Sequence, residues 1–174
     1  MDPRATARAI DALRRGWPVA IDGAVTLLAI ESADEGRLAA FDPGREADIL
    51  ISSTRAVTLK LANQLAAATE GAPVVIRRTS WIDLAAATAI ADPATDLANP
   101  LMGPFAALPV AHPDAAAAGL ELARHAGILP AFFIREGVHD PAESVTSDAI
   151  LAWDAPERLA IAARAKLPTA AAEK

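Results

Sequence analysis

Cysteine is absent from the 174 residues, which excludes disulfides, a thiolate zinc site and a cysteine nucleophile. A cytoplasmic protein fits that composition. Aromatic residues make up only 4%, so the core has to come mainly from Leu, Ile, Val and Ala. No apolar run reaches the roughly 18 residues of a membrane span. The opening MDPRATARAI also lacks an apolar signal core, so a soluble chain with no membrane partner is expected. Basic residues are outnumbered, 16 Lys and Arg against 22 Asp and Glu, and the net charge of −6 argues against a nucleic-acid partner. Motif tests find no G-x-G-x-x-G, no P-loop, no H-E-x-x-H and no G-x-S-x-G.

What is present is punctuation between apolar runs. Asp2-Pro3 starts a helix that runs to Arg14-Arg15 and stops at Gly16. Asp22-Gly23 between the apolar runs 19–21 and 25–30 signals a hairpin. Ser32 and Glu35 have capping-box spacing for a helix over residues 33–41, and Ser52 to Thr54 cap another, through Val57, Leu59 and Leu61. Strands are expected at 49–51, 74–77 and 105–110, where Pro109 marks an edge, with a helix at 80–91 and a Pro-rich loop at 93–104.

Residues 114–136 form the most informative stretch, a helix, a glycine stop and a strand. Asp114 sits as its N-cap, Gly127 as its left-handed stop, and residues 131–134 are apolar on both faces, as in a central strand. Residues 137–144 read as a polar loop, residues 148–153 as a short apolar run, and a last helix is expected from Asp154 through Ala165. Strands alternating with helices predict a single α/β (α+β) domain, a mixed sheet with helices on both faces in three layers. It spans residues 1–168, and residues 169–174 are a tail or junction.

Four residues are candidates for ligand binding. His112 stands between a strand and a helix N-terminus, where anions bind, and Glu136 ends the central strand. Arg77 and Arg78 end another strand, placed either to hold a phosphate or simply as solvated charges. His125 and His139 read as surface residues. The tryptophans Trp17, Trp81 and Trp153 read as core filling or interface anchors.

The segments ARAIDALRRGWPVAI, ILISSTRAVTLKL, GPFAALPVA and LARHAG, followed by Glu136, resemble 3,4-dihydroxy-2-butanone-4-phosphate synthase. That family carries an acid-rich loop, D-D-E-x-R-E-x-E, after its first strand, and R-x-x-H-T-E-A before the helix of the L-A-R-x-A-G type. The resemblance implies magnesium ligands, acid/base carboxylates and a phosphate contact in those motifs. Here Asp22-Gly23 stands at the place of the loop. An ungapped match of LARHAG puts Ala115 at the metal-binding histidine, Ala116 at the threonine and His112 at the arginine, and only Glu136 falls on a matching acid. The expected consequence is a lost magnesium site, with no cofactor in this chain and no catalytic residue.

ADILIS, LANQ, AIADP and LPAFFI further resemble the N-terminal synthase-like domain of bacterial GTP cyclohydrolase II-type proteins. This resemblance implies a non-catalytic, homodimeric domain in riboflavin biosynthesis, serving as scaffold or regulator, joined to a C-terminal cyclohydrolase domain that holds the zinc. Two alternatives remain: a sugar-phosphate lyase acting on ribulose 5-phosphate through a rearranged site, and a sensor of a phosphate-bearing ligand.

Overall fold

The computed structural model describes residues 2–153. Helix α1 (Pro3–Arg14) begins where Asp2 accepts a hydrogen bond from Arg4 N at 2.9 Å. It is followed by Gly16 at a φ of +74°, a conformation that costs glycine little. Strands β1 (Val19–Ile21) and β2 (Val25–Ala29) form the expected antiparallel hairpin, with Ile21 opposite Val25. Asp22 and Gly23 both take positive φ, 53° and 63°, as a tight hairpin turn requires.

Helix α2 (Glu35–Phe41) is capped by Asp34, which accepts from Arg37 N at 2.8 Å, rather than by Ser32. Ser32 is used elsewhere: its hydroxyl donates to Leu13 O at 2.6 Å and ties the chain to the end of α1. Strand β3 (Asp48–Ile51) leads through the Ser52 cap into α3 (Ser53–Thr58), which ends before Leu59 and Leu61. Strand β4 (Val74–Ile76) is followed by α4 (Leu84–Ala91), four residues shorter at its start than expected because Asp83 caps it through Ala86 N. Strand β5 is reduced to Ala107–Leu108.

Helix α5 (Pro113–Ala126) has His112, not Asp114, at its N-cap, and Asp114 lies in the first turn. Gly127 closes it at φ +70°, as expected. Strand β6 (Ala131–Glu136) follows. A further strand, β7 (Glu143–Val145), begins within the loop expected at 137–144, and the apolar run after it is a short helix, α6 (Ser147–Leu151). The helix expected from Asp154 and the tail 169–174 lie outside the described residues.

The seven strands of the described residues join one sheet in the order β5-β4-β3-β6-β2-β1-β7, antiparallel except where β7 runs parallel to β1. Strand β6 is the fourth of the seven, as its apolar character on both faces demands. Phe132 and Ile134 face a core built with α1, α5 and α6, and Ala131 and Phe133 face a second core built with α2, α3 and α4. The result is three layers, helices on both faces of a mixed sheet.

Alanine sets the distance of the first layer. Helix α5 buries Ala115, Ala116, Ala118, Ala123 and Ala126, and its Gly119 lies so near β2 that a Cβ there would overlap Leu27 Cδ1. Of the two uses expected for the tryptophans, core filling does not describe Trp17 and Trp81. Phe132 and Phe133 are fully buried, but Trp17 and Trp81 are 45% and 46% exposed, and only Trp153 packs against the first core. No helix among the described residues is long and apolar enough to cross a membrane.

Candidate functional site

Alternation along β6 sends its last two residues to opposite faces. Arg135 turns toward α2, where Nη1 donates to Phe41 O at 2.8 Å and Nη2 lies 3.5 Å from Glu46 Oε2. Glu136 emerges on the other face, opposite Val25 at the start of β2 and beside the Asp22-Gly23 turn. The chain then reverses at Gly137, φ +81°, whose N–H donates to Ala24 O at 2.7 Å.

Thr26, a buried hydroxyl in the middle of β2, holds this reversal. It donates to Gly137 O at 2.7 Å and accepts from His139 N at 3.1 Å. The His139 ring folds back so that Nε2 lies 2.7 Å from Glu136 O. A carbonyl only accepts, so the proton resides on Nε2 and Nδ1 is left as an acceptor when the ring is neutral.

Between this turn and the start of α5 lies a cavity of about 420 Å³. His112, Glu136 and His139 line it together with Glu46, Asp48 and Arg135, over a floor that includes Val25, Val75 and Ile134. Asp48 opens β3 opposite Ile134, and its Oδ1 accepts from Arg78 N at 2.9 Å. His112 is exposed at the α5 N-cap and its side chain makes no capping hydrogen bond.

The structure brings His112 and Glu136 together and separates both from the two arginines. Arg77 is exposed and does not line the cavity, and its N–H donates to Ala106 O at 2.9 Å. Arg78 is turned into the opposite layer, where Nη1 meets Asp42 at 2.9 Å, Nε donates to Ile82 O at 3.0 Å and the guanidinium lies 5.0 Å from the Phe133 ring centre. Burial lowers the Arg78 pKa, and the neighbouring Asp42 carboxylate opposes that shift. Neither alternative foreseen for Arg78, phosphate contact or solvated strand end, describes this internal ion pair.

Glu46, Asp48, Arg135 and His139 supply the rest of the charged and imidazole lining, and sequence reasoning missed them as site residues. A signal for His139 existed in the glycine turn directly after Glu136. The pairing of β3 with β6, which brings Asp48 in, has no local signal. His125 is likewise not on the surface: its side chain is 7% exposed, with Nε2 3.9 Å from Glu121 Oε1.

Together the layers, sheet order and end-of-strand cavity define an α/β protein with its candidate site at the carboxyl end of the central strand. Among solved structures, the chain is similar to the crystal structure of 3,4-dihydroxy-2-butanone 4-phosphate synthase of Candida albicans, described as an alternate interpretation. The match has a TM-score of 0.58 at 16% identity, and it covers 83% of this chain and 94% of that one. The chain therefore has a dihydroxybutanone phosphate synthase-like fold. No family model matches the sequence, and no curated protein matches it.

Magnesium, implied by the resemblance to the synthase family, does not fit the residues present. Among the described residues no group of three His, Asp or Glu side chains is placed to hold a metal ion. At the positions that the resemblance assigns to the metal-binding histidine and the threonine after it, Ala115 and Ala116 are buried in the first core. Magnesium needs oxygen donors in near-octahedral array, which two methyl groups cannot replace.

Proposed function

We propose that this chain is a non-catalytic domain of synthase-like fold that serves a GTP cyclohydrolase II-type protein in riboflavin biosynthesis. It acts there in the cytoplasm as a homodimer, as scaffold or regulator. The observation that carries the reading is the β1–β2 hairpin. Strand pairing continues to Ile21 and Val25, and the Asp22-Gly23 turn occupies the place where the resemblance puts the acid-rich loop. Asp22 itself is engaged, accepting from Ser147 N at 2.8 Å at the start of α6. In this reading the zinc chemistry belongs to a cyclohydrolase domain and not to a chain without cysteine.

Sedimentation velocity of the purified chain, alone and mixed with a GTP cyclohydrolase II catalytic domain, tests the proposal. A dimer that binds the catalytic domain saturably is expected. A monomer with no association overturns it. Turnover of ribulose 5-phosphate with Mg²⁺ that vanishes in Glu136→Ala would shift the reading to the lyase. That alternative has less support, since His112, Glu136, Arg77 and Arg78 do not converge on one cavity.

A second reading, a ligand-binding domain that keeps a pocket without the lyase chemistry, is favoured by the cavity itself. Its two imidazoles and three carboxylates surround space for a small molecule.

A further inference from the structure

We infer that the cavity beside Glu136 takes a small organic cation, an ammonium group attached to an apolar body, and not a phosphate ester. The inference rests on the second reading above, the chain as a ligand-binding domain, and replaces the phosphate-bearing ligand of the sensor alternative. Charge is the first argument. Among the described residues, three carboxylates, Glu46, Asp48 and Glu136, line the cavity against a single guanidinium, Arg135. That guanidinium is already engaged by Phe41 O at 2.8 Å and Glu46 at 3.5 Å. Pairing Glu46 with Arg135 leaves Asp48 and Glu136 without a cationic side-chain partner among the described residues of the wall, and a dianionic phosphate entering there meets repulsion from both.

The two arginines that sequence reasoning offered to a phosphate are elsewhere, Arg77 off the lining and Arg78 in the opposite layer against Asp42. The remaining positive features are small. The N-terminus of α5 at His112 carries a partial positive charge, and Asp114 in its own first turn offsets it. His139 has Nε2 engaged by Glu136 O, so that nitrogen is not free to donate to an anion in the cavity.

Shape is the second argument. Val25, Val75, Leu108, Val110 and Ile134 supply an aliphatic wall to a space of about 420 Å³. An ammonium held at the Asp48 and Glu136 carboxylates leaves its organic body to cover that wall. A free inorganic ion would leave it wet.

Isothermal titration of the full chain with phenethylamine and, separately, with inorganic phosphate tests this. Saturable binding of phenethylamine that weakens with added salt is expected, falling about fivefold in each of Glu136→Gln and Asp48→Asn, as for one partly exposed charge pair. Asn at 48 keeps an oxygen for Arg78 N, and thermal melts of both variants establish that they fold. Three results overturn the inference: no amine binding, amine binding equal in the wild type and both variants, or saturable phosphate binding lost in His112→Ala. Saturable phosphate binding overturns the amine and leaves the ligand-binding reading standing, whereas binding of neither probe counts against both; association with a cyclohydrolase domain is untouched by any of the three.

Discussion

Arg78 Nη1 lies 2.9 Å from Asp42 Oδ2, with both side chains shut away from solvent between the sheet and α2. Asp42 is held further by the N–H groups of Glu46 and Ala47 at 2.8 and 2.9 Å, and Arg78 by Ile82 O. The pair locks the turn after α2 to the end of β4.

Removing one member leaves the other as an uncompensated buried charge. Arg78→Ala is expected to lower stability by about 3–5 kcal/mol, read by urea unfolding. Ligand binding at Glu136 should survive wherever the variant is folded, because Arg78 does not line that cavity. A loss below about 1 kcal/mol would mean that the backbone donors alone hold Asp42.

Gly119 is needed for contact and not for conformation. A Cβ there overlaps Leu27 Cδ1 and comes within 3.3 Å of Ile21 Cδ1, both in the packed core. Gly119→Ala should therefore destabilise by about 1–3 kcal/mol, although alanine in a helix interior ordinarily gains about 1 kcal/mol over glycine. A thermal melt gives the sign directly, and a raised Tm would show that α5 moves away from the sheet without cost.

Gln64 covers the edge of the sheet. Its side-chain amide donates to Phe105 O at 2.8 Å and accepts from Ala107 N at 2.7 Å, doing for β5 what a further strand would do. Gln64→Ala leaves both backbone groups unpaired at an edge, a cost of about 1–3 kcal/mol. Unpaired edges recruit other chains, so sedimentation at rising concentration should show more self-association than in the wild type. The nearly full exposure of Leu65, Leu97 and Leu101 adds apolar surface to the molecule.

Arg55 and Asp96 give the fold an acid-sensitive tie. Both guanidinium Nη atoms lie 2.7 Å from the carboxylate oxygens, and the hydrogen bond from Arg55 holds the Asp96 pKa below its ordinary 3.8. A depressed folded value means that the contribution is complete above the unfolded pKa near 3.8 and is lost as pH falls through the folded value. Stability should thus drop on acidification below about pH 4, and Asp96→Asn should flatten that part of the profile. An unchanged profile in the variant would remove Asp96 from the account.

Much of the architecture was legible in the sequence because its causes are local. The Asp2 cap, the Asp22-Gly23 turn and the Gly127 stop act within a few residues, and the two-sided apolar run of β6 announces a central strand by composition alone. Caps were harder to place: Ser32 and Asp114 carry the right chemistry, yet Asp34 caps α2 while Ser32 is drawn to Leu13 O, and Pro113 at the first helical position of α5 puts the N-cap one residue before it, at His112.

The candidate site was half legible. His112 and Glu136 sit at element ends that the sequence marks, and the structure sets them around one cavity. Asp48 enters only because β3 pairs with β6 in a register that puts it opposite Ile134, and His139 only because buried Thr26 pins the turn after Gly137. Arg77 and Arg78, adjacent and alike in sequence, part company because successive residues of an extended chain face opposite ways. Only the packing of α2 against the sheet decided that Arg78 would meet Asp42. Elements follow from short-range period and capping chemistry, which a sequence displays. Partnerships across the sheet follow from register and layer packing, which exist only once distant segments have met.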